Sequence, residues 1–207
     1  MKKSYSAIIF DLDGTLLNSV DLIVACFEAT YLHFFGKVPT KEKILGDIGL
    51  PLKTVLTLVD KSRAWEMEVF YRAFQNENHD KFVSLYPGVL ELLENLRKAG
   101  KKVGVGTSKA RVGLDLCIKM FPLGLIQTWI TADDVVNHKP DPEPLIKVAE
   151  LLEVDPKECV YIGDTHFDKD AAKAAGMDFI GVTWGVGVIE ELGERVISNF
   201  DELASVL

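Results

Sequence analysis

The sequence predicts an α/β protein, in which a doubly wound parallel sheet carries an all-helical insertion after its first strand. Three observations support this fold class. Short apolar runs alternate with helical stretches from Tyr86 onward, several of these runs stop abruptly at Asp or Thr, and residues 18–85 show helical periodicity without a strand. Alternating strands and helices are typical of a parallel sheet with helices on both faces.

The first strand is predicted over about residues 6–10, where an apolar run ends at two acids. Asp11 and Asp13 follow this run, and Gly14 and Thr15 come next. Carboxylates at a buried strand end are costly unless a cation or hydrogen bonds compensate them. Asp-x-Asp therefore predicts a magnesium site in which one acid could also act as nucleophile. A simple Asp-Gly turn after the strand is the alternative interpretation.

Residues 18–85 are predicted to form a helical cap that lies over a site. Apolar residues recur at helical spacing from Val20 to Phe34, and further helical patches lie near residues 41–45, 52–59 and 65–74. No strand is expected between Asn18 and Leu85. The predicted domains are therefore a core of residues 1–17 and 86–207 and a cap of residues 18–85.

The remaining core elements follow in order. Strands are predicted at residues 103–107, 128–131, 160–164 and 179–182. Helices are predicted at residues 89–96, 112–120, from Asp141-Pro142 to 152, at 171–175 and at 202–207. Right-handed crossovers bring the carboxyl ends of parallel strands to one edge, so Asp11, Thr107 and Asp164 are expected in one crevice.

Each later segment offers one candidate group for that crevice. The Thr107 hydroxyl can donate to a phosphoryl oxygen, whereas Ser108 is equally suited to cap a helix. Lys139 precedes Pro140 and Pro142, which restrict the backbone and can hold it in a defined place, and its ammonium would offset carboxylate repulsion. Asp164 and Asp168 are four residues apart, a spacing that suits one metal ligand and one supporting acid.

The net charge, the hydropathy and the cysteine positions of the sequence exclude several classes of function. A net charge of −8 over 207 residues argues against a general nucleic-acid binder. No apolar run is long enough to cross a bilayer, and the start of the chain has no secretory apolar core, so no membrane partner and a cytoplasmic location are expected. The scattered cysteines, Cys26, Cys117 and Cys159, indicate a reducing compartment rather than a disulfide or zinc site.

Together these segments resemble the haloacid dehalogenase-like hydrolase superfamily, whose Rossmann-like core carries four motifs in fixed order. The matching segments are Asp11-x-Asp13-Gly14-Thr15, Thr107, Lys139 and Gly163-Asp164-x-x-x-Asp168. The helical insertion is similar to the small α-helical cap of this superfamily. Tyr86-Pro87-Gly88-Val89, Lys139-Pro140-Asp141-Pro142 and Thr183-Trp184-Gly185 are similar to its phosphoglycolate-phosphatase-like branch. Ser108 and His138 depart from many relatives, which carry Asn and Gly there.

The resemblance implies a Mg²⁺-dependent phosphatase that acts on a small phosphorylated metabolite through an aspartyl phosphate. Asp11 would be the nucleophile, Asp13 the acid and base, and Thr107 and Lys139 the phosphoryl-binding groups. Mg²⁺ would be held by Asp11, the Asp13 carbonyl and Asp164. Thr15, Ser108, Gly163 and Asp168 would support the site. The cap would select the substrate, with Leu50 and Lys53 in the expected specificity loop.

Several alternatives stay open. A phosphomutase would use the same acids, but the expected cap loop, Gly46 to Lys53, lacks the arginine that such relatives usually carry. Inorganic pyrophosphate is another plausible substrate. A receiver-type signalling domain would lack both the cap and the late Gly-Asp-x-x-x-Asp motif, and a non-catalytic binding protein would not need every catalytic position filled. The sequence leaves open the oligomeric state and the roles of Asp133, Asp134, Trp65 and Trp129.

Overall fold

A central parallel sheet organises the protein. The computed structural model describes residues 4–193 and 195–207. Within these residues the sheet has six strands in the order β5-β4-β1-β6-β7-β8, and every pairing is parallel. The strands are β1 (Ala7–Phe10), β4 (Lys102–Gly106), β5 (Thr128–Ile130), β6 (Cys159–Gly163), β7 (Asp178–Val182) and β8 (Val196–Ile197). The predicted doubly wound α/β sheet is confirmed.

Side chains of the central strand β1 alternate between two apolar layers. Ile8 and Phe10 belong to one buried cluster, whereas Ala7 and Ile9 belong to the other. This period of two is expected for a strand covered on both faces. The core helices are α5 (Val89–Lys98), α6 (Arg111–Met120), α7 (Glu143–Leu151), α8 (His166–Ala175), α9 (Ile189–Leu192) and α10 (Phe200–Val206).

The insertion is helical apart from its two joints. Its helices are α1 (Val20–Phe35), α2 (Lys41–Asp47), α3 (Leu52–Val59) and α4 (Ala64–Phe82). The expectation that this segment contains no strand is wrong at its ends, because β2 (Leu17–Asn18) pairs antiparallel with β3 (Ser84–Leu85). Strands of two residues are too short to show an alternating pattern in sequence. The division into residues 18–85 and the remaining core stays a prediction.

Other boundaries differ from the sequence-based expectations at element ends. Helix α4 continues to Phe82, eight residues past the predicted end. Helix α7 begins at Glu143 with Pro142 as its N-cap residue, and Asp141 contributes by accepting a hydrogen bond from the Glu143 N–H at 2.9 Å. Strand β8 and helix α9 are short and were not predicted. Across the described part of the chain, no helix combines the length and apolar character needed to span a bilayer.

Candidate active site

Three polar residues lie where neighbouring strands of the sheet end. Asp11, Thr107 and Asp164 directly follow β1, β4 and β6, and β1 pairs with both of the other strands. The Asp11 N–H donates to the Ile162 carbonyl at 2.8 Å, which continues the β1–β6 ladder to this residue. The sheet therefore brings the predicted residues to one edge.

Lys139 connects two of the acids from a buried position. Its side chain is 1% exposed, and Nζ donates to Asp11 Oδ1 at 2.9 Å and to Asp168 Oδ1 at 2.5 Å. Nζ also donates to the Tyr161 hydroxyl at 3.1 Å. Burial alone would lower the pKa of Lys139, but the Asp11 and Asp168 carboxylates outweigh it and hold this pKa well above its usual value. Lys139 is therefore a charged group inside the site.

Asp168 uses both of its carboxylate oxygens for contacts within the protein. Oδ1 accepts from Lys139, and Oδ2 accepts from the Thr165 N–H at 2.9 Å and the Thr165 hydroxyl at 2.6 Å. The Thr165 contacts form a capping box at the start of α8. The sequence indicates a helix cap by Asp or Thr in this segment, and Thr165 is that cap. It gives no sign of a role for Tyr161, which occupies an ordinary apolar strand position.

Asp164 is enclosed by backbone on several sides. Its side chain accepts from the Thr15 hydroxyl at 3.1 Å and from the Val186 N–H at 2.8 Å, and the residue is 0% exposed. A Cβ atom on Gly14, whose φ is +80°, or on Gly185 would overlap the Asp164 carboxylate. Burial, followed by repulsion from Asp168 and Asp11, raises the pKa of Asp164 well above its usual value. Only glycine fits at both positions without displacing this acid.

The acids form a group that fits a divalent cation. One carboxylate oxygen from each of Asp11, Asp164 and Asp168 lies within 4.8 Å of the others. Burial is the main cause that raises the pKa of Asp11 to about 7, with Asp168 adding to it and Lys139 opposing it. A cation would relieve this repulsion, and carboxylate oxygens are the ligands that Mg²⁺ prefers. Asp168 already holds the Lys139 ammonium on Oδ1 and accepts two Thr165 donors on Oδ2, whereas each Asp164 oxygen accepts a single hydrogen bond, so Asp11 and Asp164 are the better placed ligands.

Asp13 makes an ion pair that the sequence did not reveal. Lys109 Nζ lies 2.8 Å from Asp13 Oδ1 and 3.0 Å from Oδ2, and the Ser19 hydroxyl donates to Oδ1 at 2.6 Å. Burial lowers the pKa of Lys109, but Asp13 and weaker partners outweigh it, so the net change is upward. Lys109 lies two residues after Thr107, and the sequence does not show that its side chain points into the site. Its pairing with Asp13 could therefore not be predicted.

The cap loop contacts the core beside these residues. The Ser108 hydroxyl donates to the Gly49 carbonyl at 2.6 Å, so Ser108 does not cap a helix as the alternative interpretation suggested. Helix α6 begins later, at Arg111. Gly49 has a φ of +106°, and a Cβ there would clash with Phe167. Leu50 and Lys53 follow this contact on the cap side.

A cavity of about 580 Å³ lies between cap and core. Residues from both parts line it, including Asp11, Asp13, Thr107, Ser108, Lys109, Leu50, Lys53 and Asp133. Asp133 also accepts from the Arg111 N–H at 2.7 Å, and Asp134 pairs with the Arg111 side chain at 2.5 Å. Trp65 is 74% exposed, and Trp129 packs against the apolar core, so neither tryptophan is a lining residue.

Comparison with known proteins agrees with this geometry. The model of the haloacid dehalogenase-like hydrolase family matches residues 8–182. Pyrophosphatase PpaX of Anoxybacillus flavithermus is 36% identical over 207 residues, which cover 98% of this chain and 96% of that protein. PpaX of Bacillus velezensis is 38% identical over 185 residues, or 89% and 86% of the two chains.

Solved structures show the same fold over nearly the whole chain. A candidate phosphoglycolate phosphatase from Lactobacillus plantarum superposes with a TM-score of 0.88 at 26% identity, covering 99% of this chain and 100% of that one. A hydrolase from Pseudomonas syringae gives a TM-score of 0.85 at 27% identity, covering 97% and 96%. The resemblance seen in the motifs is thus confirmed, and the chain belongs to the haloacid dehalogenase-like hydrolase family.

Proposed function

We propose that this hydrolase is a Mg²⁺-dependent phosphatase that acts on a small phosphorylated metabolite through an aspartyl phosphate on Asp11. The observation that carries the proposal is the buried arrangement of Asp11, Asp164 and Lys139 at one sheet edge. It combines a carboxylate nucleophile, a cation-binding acid and a fixed ammonium. An anionic nucleophile can approach an anionic phosphate only where positive charge of this kind is placed in advance.

The two oxygens of Asp11 are in different environments. Oδ1 accepts from Lys139 at 2.9 Å, whereas no group among the described residues donates to Oδ2. We assign the attack on phosphorus to Oδ2. Lys139 favours the ionised form of Asp11 and so opposes the burial that raises the pKa of this carboxyl to about 7. When bound by Asp11 and Asp164, Mg²⁺ would supply further positive charge to the carboxylates and to the phosphoryl oxygens.

Asp13 is proposed to transfer the protons. In the first half-reaction the bond between phosphorus and the leaving oxygen breaks as the Asp11–phosphorus bond forms, and Asp13 gives the leaving oxygen its proton. In the second half-reaction water attacks the aspartyl phosphate, Asp13 takes a proton from this water, and Asp11 is regenerated. The contacts of Asp13 with Lys109 and Ser19 hold its carboxyl group in place for both transfers.

Thr107 is proposed to bind a phosphoryl oxygen. The residue is 3% exposed and lines the cavity, and its hydroxyl oxygen accepts from the Lys109 N–H at 3.2 Å. An oxygen that already accepts this bond keeps its own hydrogen for donation. Thr107 can therefore complement Lys139 in neutralising the phosphoryl group.

Residues 18–85 are proposed to act as a lid that selects the substrate. Both joints of this segment lie together, because Leu17 pairs with Leu85 and Asn18 with Ser84. Paired joints let a segment rotate about a narrow hinge while its helices stay packed. Leu50 and Lys53 line the cavity from this side and are the proposed specificity residues.

Inorganic pyrophosphate is a second candidate substrate. It is favoured by the name of the PpaX proteins, which match this chain at 36–38% identity. The name of the Lactobacillus plantarum structure favours phosphoglycolate instead. Both substrates present a phosphoryl group to the same acids. The cytoplasmic location and the absence of nucleic-acid and membrane partners stay predictions.

The test is phosphate release from a panel of phosphorylated metabolites, including phosphoglycolate and pyrophosphate, with Mg²⁺ or with excess chelator. We expect turnover only with Mg²⁺ and poor replacement by Ca²⁺, which prefers more ligands at longer distances. Asp11→Asn should remove turnover, while its circular dichroism and melting curve should stay close to those of the unmodified protein. Turnover by purified Asp11→Asn protein would contradict the covalent mechanism, and full activity in chelator would contradict the metal assignment.

A further inference from the structure

Helix α4 presents a row of polar side chains to the cavity on its cap side. Glu68, Tyr71, Arg72 and Gln75 all line the cavity. Glu68 lies three residues before Tyr71 and four before Arg72, and Gln75 lies four and three residues after them. Such spacing places side chains on one face of a helix. These residues belong to the cap, whereas the proposed chemical steps use side chains of the core. Their polarity thus needs an explanation beyond catalysis.

Gln75 is the most informative member of this row. It is 7% exposed, and no donor or acceptor among the described residues is bonded to its side chain. Among the described residues, each side-chain nitrogen or oxygen that is fully enclosed has a hydrogen-bond partner. Because the Gln75 amide has no partner, its atoms are not fully enclosed, and the accessible space beside them is the cavity. An amide offers two donor hydrogens and one acceptor oxygen. Buried polar groups of this kind are normally satisfied, and the cavity is where a partner can come from.

Arg72 lies one turn before Gln75 and is oriented by its own helix. Its Nε and Nη2 donate to Glu68 Oε1 at 2.9 Å and 2.6 Å, and the two side chains are 27% and 15% exposed. This pair occupies the Nε and Nη2 groups and leaves Nη1 for another acceptor. Arg72 and Gln75 together can therefore bind an oxygen atom that enters from the cavity.

The cavity is larger than pyrophosphate alone would fill, and part of its wall is apolar. Even at roughly 30 Å³ per heavy atom, the share of a water molecule in the liquid, the nine heavy atoms of pyrophosphate would fill about 270 Å³. The cavity measures about 580 Å³. Its walls include Ile23 and Phe27 of α1 and Leu52 of α3, which an organic leaving group can contact and a second phosphate cannot use.

We propose that Gln75 and Arg72 form a leaving-group subsite that hydrogen-bonds a polar oxygen at the far end of an organic phosphate monoester. The carbon chain of this substrate contacts the apolar walls of the cavity, and its phosphate lies at Asp11. This inference rests on the proposed phosphatase function and assigns its substrate class. Gln75 is a specificity-determining residue in this scheme and takes no part in the chemical step.

The test uses matched pairs of substrates with Mg²⁺. The probes are n-alkyl phosphates and ω-hydroxyalkyl phosphates with two to six carbons, together with inorganic pyrophosphate. We expect one chain length at which the terminal hydroxyl raises kcat/KM by at least about tenfold, because a site built to bond a hydroxyl rejects the analogue that lacks it. Gln75→Leu should abolish this advantage, while the kcat/KM for the plain alkyl phosphates stays within about twofold.

Two further variants keep the test decisive. Asn78→Leu is the matched control, because Asn78 is a partly buried amide on the same helix that bonds the Phe74 carbonyl and does not line the cavity. It should leave the hydroxyl advantage intact. Gln75→Glu preserves side-chain shape if Gln75→Leu does not fold. With Gln75→Glu, the substrate preferred at that chain length should change from the ω-hydroxyalkyl phosphate to an ω-aminoalkyl phosphate, because the ammonium group of the latter pairs with the new carboxylate.

The outcomes separate this inference from the function on which it rests. A hydroxyl advantage that Gln75→Leu removes and Asn78→Leu retains supports the subsite. The subsite is overturned if the alkyl and ω-hydroxyalkyl phosphates of every chain length react at equal rates. It is also overturned if the hydroxyl advantage survives Gln75→Leu and Gln75→Glu does not shift the preference to the ω-aminoalkyl phosphate. Hydrolysis of pyrophosphate alone also overturns it, while the Mg²⁺-dependent phosphatase mechanism stands. Release of phosphate from none of the panel or the probes overturns the proposed function itself.

Discussion

Replacing Lys139 by Met should destabilise the protein strongly, because it leaves two buried acids without their shared cation. Lys139 is 2% exposed and lies within 2.9 Å of Asp11 and 2.5 Å of Asp168. Met fills a similar volume, so the main loss is electrostatic. Removing one partner of a buried ion pair costs about 3–5 kcal/mol. For a chain of this size each kcal/mol lowers Tm by roughly 2–4 °C, so Tm should fall by about 6–20 °C.

The effect of Lys139→Met on Tm should depend on pH, and the Asp11 carboxyl that Lys139 contacts determines the direction. Burial raises the pKa of Asp11 to about 7 in the folded protein, above the value of an unfolded aspartate. The metal-free protein therefore loses stability from this group as pH rises toward 7. Without Lys139 the folded-state pKa of Asp11 rises further, which enlarges this loss. The difference in Tm between the variant and the unmodified protein should thus be larger at pH 8 than at pH 5.

The assay is thermal unfolding followed by circular dichroism in chelator, since a bound cation would replace part of the missing charge. Lys147→Met is a matched control, because Lys147 pairs with Glu143 at the surface, where an ion pair contributes about 0–1 kcal/mol. The double variant Lys139→Met/Asp168→Asn should unfold at a higher temperature than Lys139→Met, while remaining inactive. If Lys139→Met melts within 2–3 °C (about 1 kcal/mol) of the unmodified protein, or if the two substitutions are additive, Lys139 is not the cation that stabilises this cluster.

Three further outcomes concern the reaction. Asp13→Asn should lower turnover by roughly 10²–10⁴-fold, and single-turnover phosphorylation should be less affected with p-nitrophenyl phosphate, which needs little protonation, than with an alkyl phosphate. Lys109→Met should lower kcat by about 10²-fold in steady-state kinetics, because Asp13 loses the partner that positions it. In a double variant with Asp13→Asn, the Lys109→Met substitution should lower kcat little further. Leu50→Ala and Lys53→Ala should change the ratio of kcat/KM between a small and a large phosphate ester without altering the Mg²⁺ requirement, and a fixed ratio would make the cap loop structural.

The sequence predicted the core of the site because the relevant signals are local. Asp11 and Asp164 each follow an apolar run, and strand topology alone places the ends of such runs together. The short elements could not be predicted in this way. Strands β2 and β3 have two residues each and are defined by their pairing with one another, which is a contact between distant parts of the chain.

The same distinction explains which site residues the sequence did not reveal. Lys109 reaches Asp13 across 96 positions of sequence, and Lys139 reaches Tyr161 across 22. Tyr161 alternates with apolar neighbours in a buried strand and therefore resembles a core residue, although its hydroxyl donates to the Gly106 carbonyl at 2.6 Å. A polar contact that forms only after folding leaves no periodic trace in sequence.

Gln75 extends this argument from catalysis to specificity. A glutamine in a helix rich in charged residues predicts an exposed position, yet Gln75 is 7% exposed and faces a cavity. Asp11, Asp164 and Asp168 are held by contacts within the core. On α4, Glu68 and Arg72 bond each other, and no hydrogen bond among the described residues joins Arg72 or Gln75 to the acids. Substrate choice can therefore differ between relatives that share the same core residues, and the side chains on α4 are the positions at which to look for that difference.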